Sequence, residues 1–275
     1  MVKLTKLQIR KKLPKRVKSS NKTDAGHTLM IAGGKNYLGA GIISALAATK
    51  VGSGYTHLMC ESKKYPWLLC PDFILHPLKI SILSKLADFS FGVGPGLGVN
   101  SFTKKVITTL IKNKREKVTL DADALTVLSQ MKKIKIPSSW ILTPHEGELA
   151  RLLQTTSQVV KSDRMKSLKQ AHFKYGCHIL LKGAETLLID HQGKVYCVNE
   201  GTVALAKAGM GDILTGLITG LRAQGLSPID AMSVATFIHG RASREYLKKG
   251  NDILSLRPVD LIELIPRTIR KTRES

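Results

Sequence analysis

Short apolar runs that end in glycine or an acid, and give way at once to a helical pattern, recur along this 275-residue chain. Residues 28–32 run into Gly33-Gly34 and then a helix over 42–50. Residues 86–93 run into Gly94-Pro95-Gly96-Leu97-Gly98 and a helix over 101–113. Residues 117–120 end in Asp121-Ala122-Asp123, residues 140–143 in Pro144-His145-Glu146, and residues 177–181 in Lys182-Gly183. Strands alternating with helices build βαβ units, whose sheets are mostly parallel and covered on both faces. The pattern predicts an α/β fold of that kind. Residues 55–60 add a strand, and 61–80, with Pro66, Pro71 and Pro77, read as irregular or edge-like. Residues 187–189 and 194–198 read as a hairpin across Asp190-His191-Gln192-Gly193. Helices are expected over 161–175, 212–224 and 228–248, and Gly216 and Gly220 would allow one of them a close helix contact.

In open sheets of this kind ligands sit beyond the carboxyl ends of the strands. The most pointed stretch is Gly209-Met210-Gly211-Asp212, which opens an apolar helical segment carrying Ile213, Leu214, Leu217, Ile218 and Leu221. Glycines let a backbone approach a ligand closely. A helix start offers unpaired N–H groups to an anion. A carboxylate beside a phosphate is unfavourable unless it takes a proton, so Asp212 is a candidate base in a nucleotide-phosphate cradle. The same residues also suit a plain turn and helix start. Asp121 and Asp123 stand where acids can hold a Mg²⁺-bound water or a substrate hydroxyl, with Asp123 favoured as the cap of the next helix. His145 follows a strand and can face a ligand, while Glu146 and Glu148 suit the following helix dipole. Lys182 suits a phosphate or ribose, or a surface turn. Gly39, Ala40 and Gly41 are small where a ligand or a strand presses close.

Composition narrows the class. No apolar run is long enough to cross a bilayer. Cys60, Cys70, Cys177 and Cys197 show no C-x-x-C spacing, which argues for reduced thiols in a cytoplasm rather than zinc or disulfides. The formal net charge is +23, but aromatic content is 5% and does not interleave with the basic residues. That argues for a solvated basic surface, with no specific nucleic-acid partner and no membrane. Residues 1–22 hold nine Lys or Arg and no acid, and read as a flexible basic leader before one domain over 23–275.

Asn36-Tyr37-Leu38-Gly39-Ala40, the Gly94 to Gly98 loop, Asp121-Ala122-Asp123-Ala124-Leu125, Thr143-Pro144-His145-Glu146-Gly147-Glu148, Lys182-Gly183 and Gly209-Met210-Gly211-Asp212 together resemble the ribokinase-like superfamily. Within it they resemble the ADP-dependent NAD(P)H-hydrate dehydratases, over roughly residues 24–265. The Thr-Pro-His-x-Gly-Glu and Tyr-x-Gly-Ala segments are the more specific. The resemblance implies a ribokinase-like fold and a hydro-lyase that repairs hydrated NADH or NADPH. The hydrate hydroxyl is phosphorylated from ADP, or from ATP in eukaryotic members, and phosphate then leaves. It implies Asp212 as catalytic base and Gly209, Met210 and Gly211 as an anion hole. Ala40, Gly96, His145 and Asp212 would hold the hydrate; Lys182, Gly183, Ala184, Glu185, Thr186 and Gly211 would hold ADP or AMP. Mg²⁺ would arrive on the nucleotide phosphates with no direct protein ligand. A homotetramer and a separate epimerase chain are further expectations. The chain departs from the family at Gly33-Gly34-Lys35-Asn36, where Gly-Ser is more common. The alternative enzyme is a ribokinase-like kinase of a vitamin-precursor alcohol, which more often carries Asn after Thr-Pro. A basic nucleic-acid binder on an inactive kinase-like scaffold is the reading from another class.

Overall fold

The computed structural model describes residues 1–61, 72–132 and 134–274. Ten strands form one sheet in the order β1-β10-β9-β8-β7-β6-β5-β2-β3-β4. The central strands β2 (His27–Ile31), β3 (Tyr55–Cys60), β5 (Phe89–Val93), β6 (Val118–Leu120), β7 (Ile141–Leu142) and β8 (His178–Leu181) are parallel neighbours. β4 (Ile74–Pro77) closes one edge in parallel with β3. β9 (Thr186–Ile189) and β10 (Val195–Val198) make the expected antiparallel hairpin beside β8. Pro77 ends the edge strand, so a missing N–H there interrupts no interior ladder. Pro66 and Pro71 lie outside the described residues.

Side-chain alternation sorts the strands onto two cores. Leu29, Ile31, Phe91, Val93, Ile179 and Leu181 face one layer. It contains α3 (Ser101–Lys112), α4 (Asp123–Gln130), α5 (Glu146–Leu153), α6 (Ser157–Ser162) and α7 (Arg164–Tyr175). Ile141, Leu180, Leu188 and Val198 face the other, with α2 (Leu38–Lys50), α8 (Met210–Ala223), α9 (Pro228–Lys248) and α10 (Pro258–Glu274). The α/β architecture with helices on both faces is therefore present.

Two expectations need correction, and one element lies outside them. The stretch over 161–175 is two helices, α6 and α7, because Asp163 caps the second by accepting from the Lys166 N–H at 2.9 Å. The basic leader is not wholly outside the fold. Val2–Lys3 forms β1, parallel to β10, and Lys6–Lys12 forms α1, whose Ile9 is fully buried. Burying one apolar face, with a Thr5–Gln8 capping box, outweighs the repulsion of exposed lysines. The unanticipated element is α10, where Leu261, Ile262, Leu264 and Ile265 bury a helical face beyond the last element expected from sequence.

α8 is buried along most of its length and lies against α2. A Cβ on Gly216 would collide with the Ser44 carbonyl and come within 2.9 Å of Ala47 Cβ; one on Gly220 would sit 2.7 Å from Val51 Cγ1. The two glycines let the helix that carries Asp212 seat directly on its neighbour. Gly216→Val should therefore destabilise the protein by about 1–3 kcal/mol through overpacking. Urea unfolding read by circular dichroism checks this, with a lowered midpoint expected.

Candidate active site at the carboxyl edge of the sheet

The start of α8 is shaped by its glycines. Gly209 occupies the cap position with φ +89°, and a Cβ there would lie 2.8 Å from the Pro258 ring. Asp212 sits in the first turn, half-buried. The amides of Gly211 and Asp212 are among those an α-helix leaves unpaired internally. The Met210 N–H differs from the expected anion hole, since it donates to the Lys207 carbonyl at 3.3 Å.

Beneath Gly211 lies a buried charge cluster. Lys182 Nζ, at the end of β8, is 2.6 Å from Asp121 Oδ1 and 3.7 Å from Glu148 Oε2. A Cβ on Gly211 would sit 3.4 Å from that ammonium. Thr215, one turn along α8 from Gly211, donates to Asp121 Oδ2 at 2.6 Å. Asp121, at the end of β6, is thus held from two elements and is 1% exposed. Burial opposes charge on Lys182, but Asp121 and then Glu148 outweigh it and raise its pKa. Asp212 is pushed up to about 7, first by burial and then by the Asp121 charge, with Lys182 pulling the other way. The site thus holds a carboxyl that exchanges its proton near neutral pH, the range suited to general base work.

The remaining candidates converge from neighbouring loops. Asp123 is not the helix cap expected from sequence. Ala122 takes that position with φ +49°, a strained conformation for a residue with a Cβ. The twist turns Asp121 toward Lys182 and leaves Asp123 Oδ2 accepting from the Gly98 N–H at 2.8 Å. The glycine loops are joined, with Gly34 N–H donating to the Gly96 carbonyl at 2.6 Å. A Cβ on Gly96 would lie 3.1 Å from Ala40 Cβ, so Ala40 and Gly96 are neighbours. His145 caps α5: its Nδ1 accepts from Gly147 N–H at 3.0 Å, and Glu148 Oε2 accepts from His145 N–H at 2.9 Å. In the neutral ring the proton then sits on Nε2, which faces Glu148 Oε1 at 3.5 Å.

A cavity of ≈ 320 Å³ opens beside the cluster, near the lower end of small-ligand pockets of roughly 300–1,000 Å³. Lys182, Gly183, Ala184, Thr186 and Gly211 line it, as does His239 of α9. The Glu185 carboxylate is not among the lining groups and instead receives Cys197 Sγ at 3.0 Å. His239 is buried, its Nε2 makes no hydrogen bond among the described residues, and burial pushes its pKa down to about 4 against an upward pull from the Met210 backbone. A neutral, unpartnered nitrogen beside an apolar cavity fits a neutral heterocycle. Among the described residues no group of three or more His, Cys, Asp or Glu is arranged to hold a metal ion.

A family model described as NAD(P)H-hydrate dehydratase matches residues 28–267. The chain belongs to this family. The bifunctional NAD(P)H-hydrate repair enzyme of Coxiella burnetii is 34% identical over 251 residues, covering 87% of this chain and 50% of that protein. The Escherichia coli enzyme of the same description is 32% identical over 229 residues, covering 82% of this chain and 44% of its own. The chain thus spans about half the length of the curated relatives it matches. A solved structure from Bacillus subtilis, described as an ADP/ATP-dependent NAD(P)H-hydrate dehydratase co-crystallised with ATP/Mg²⁺, superposes with a TM-score of 0.87. It is 25% identical, covering 98% of this chain and 97% of that one. A solved structure from Enterococcus faecalis, described as a ribokinase-like superfamily protein, superposes with a TM-score of 0.88 at 23% identity, covering 100% of this chain and 97% of that one, so the fold is ribokinase-like.

Sequence reasoning assigned no site role to Thr215 or His239, and it treated Glu148 only as a helix-dipole residue. Glu148 was detectable, since it lies three residues after the cap, the capping-box spacing. Thr215 and His239 lie inside helices, where nothing local marks them. Lys182→Met would leave Asp121 buried without its counter-charge, at an expected cost of about 3–5 kcal/mol. Adding Asp121→Asn to that variant should restore much of the loss, a non-additivity that a denaturation cycle over the two single variants and the double variant would measure.

Proposed function

We propose that this dehydratase-family chain removes water from hydrated NADH or NADPH, driven by transfer of a phosphoryl group from ADP or ATP. The observation that carries the reading is Asp212, a carboxyl poised near neutrality at a glycine-lined helix start beside a nucleotide-sized cavity. Asp212 takes the proton from the substrate hydroxyl as that oxygen bonds to the terminal phosphorus, and AMP or ADP leaves. Loss of the new phosphate ester together with a ring proton restores the double bond. The Gly211 and Asp212 amides, with Lys182 beneath, counter the charge on the transferring group. Residues 182–184, Thr186 and His239 would hold the nucleotide, with Ala40, Gly96 and His145 on the hydrate side. Mg²⁺ bound to the nucleotide phosphates would supply further charge neutralisation. The ATP/Mg²⁺ described for the Bacillus subtilis relative supports that choice of co-substrate. The word bifunctional in the descriptions of its relatives supports an NAD(P)HX epimerase as functional partner. A homotetramer working in the cytoplasm completes the proposal; no helix among the described residues is long and apolar enough to cross a membrane.

The deciding experiment follows recovery of reduced-nicotinamide absorbance from NADH hydrate, with ADP and ATP in parallel. Recovery with release of phosphate is expected, abolished in Asp212→Ala while the folded signal persists. Recovery that is independent of nucleotide, or a variant as fast as the parent, would reject the assignment. The pH dependence gives a second check. The base works only when deprotonated, so kcat/KM should rise with pH through a midpoint near 7 and then level.

Stability should run the other way. A carboxyl whose folded pKa lies above its unfolded value favours folding below the unfolded pKa, near 3.8, and loses that contribution as pH rises through about 7. Asp212→Asn should therefore be more stable than the parent at pH 8, by on the order of 1–2 kcal/mol, with no gain at pH 4. Thermal melts at the two pH values test this.

A further inference from the structure

Tyr37 is exposed by 66%, and among the described residues neither its ring nor its hydroxyl has a partner. It occupies the cap position of α2 without making a side-chain cap bond. Ser, Thr, Asp or Asn stabilises that position, so local structure does not call for an aromatic ring there. Departures from local rules concentrate at functional sites. The ring also stands on a rigid mount. Tyr37 N–H donates to the Gly34 carbonyl and its own carbonyl accepts from Ala40 N–H, each at 3.0 Å. A Cβ on Gly96 would lie 2.5 Å from Tyr37 Cβ, so the second glycine loop is packed against the root of this side chain.

The position is also informative. Ile43, six residues further along α2, approaches Gly209, where an added Cβ would be 3.5 Å from Ile43 Cδ1. At a rise of about 1.5 Å per residue, Tyr37 is displaced by roughly 9 Å along the helix from that contact, out toward the rim. A dinucleotide carries two bases joined by a pyrophosphate. With its reduced ring at Asp212, its other base must lie well away from the carboxylate. An exposed, rigidly based ring at the rim, free of partners, suits base stacking.

We propose that Tyr37 is a stacking platform for the adenine of the dinucleotide hydrate, and so a residue that favours dinucleotide over mononucleotide substrates. The inference rests on the function proposed above. The test compares hydrates of NADH and of reduced nicotinamide mononucleotide, at saturating ADP, in the parent, Tyr37→Ala and Tyr37→Phe. Tyr37→Ala should raise KM for NADH hydrate about tenfold, as expected for one lost base–aromatic stack, leaving kcat and the KM for ADP unchanged. Its KM for the mononucleotide hydrate should not move, and Tyr37→Phe should behave as the parent. An unchanged KM for NADH hydrate in Tyr37→Ala, or an equal rise with both substrates, overturns the platform while leaving the proposed reaction intact. A parent inactive on both hydrates overturns the reaction and the platform together.

Discussion

The pairing of Lys182 with Asp121 ties together the parts of this molecule that matter for chemistry. The two residues end different parallel strands, β8 and β6, and neither strand contacts the other directly in the sheet. Their contact, extended by Thr215 from α8 and by Glu148 from α5, makes one unit of four elements. Such a cluster is stable only while every charge keeps its partner, because an unpaired buried carboxylate is far costlier than an unpaired surface one. The site is accordingly rigid where catalysis by positioning needs rigidity.

The same cluster explains why Asp212 behaves unlike an ordinary aspartate. It has lost hydration and faces the negative charge of Asp121, with Glu148 and Asp123 adding to it, while a single ammonium offsets them. An acid in that balance holds its proton until near neutrality. That costs folding stability at high pH and would give the proposed base a useful strength, a trade common where function and stability compete. The glycines at 209, 211, 216 and 220 serve the same end. They bring the helix start close to Lys182 and the helix body against α2.

Much of the architecture was legible from residue patterns. Residues 55–60 and 228–248 were expected as strand and helix and are found as Tyr55–Cys60 and Pro228–Lys248. Strands buried on both faces read as continuous apolar runs, and Pro228 sets the helix start. The elements missed are those whose ordering depends on distant partners. β1 exists because β10 offers it an edge, and α1 because Ile9 finds a core already formed by α9 and α10. A two-residue strand or a lysine-rich turn has no local signature that survives on its own.

What the sequence determined by itself was the set of strand ends and the residue types placed there: Gly211 before Asp212, Lys182 before Gly183, Asp121 and Asp123 flanking one alanine. These follow from local spacing, since strand, turn and helix each impose a short-range period. Which of these residues touch was decided only in three dimensions. Asp121 meets a lysine 61 positions away and a threonine 94 positions away. Asp123 serves the Gly94 to Gly98 loop instead of capping its own helix. The choice depends on strand order and on the strained Ala122 backbone between the two acids, and long-range packing sets both.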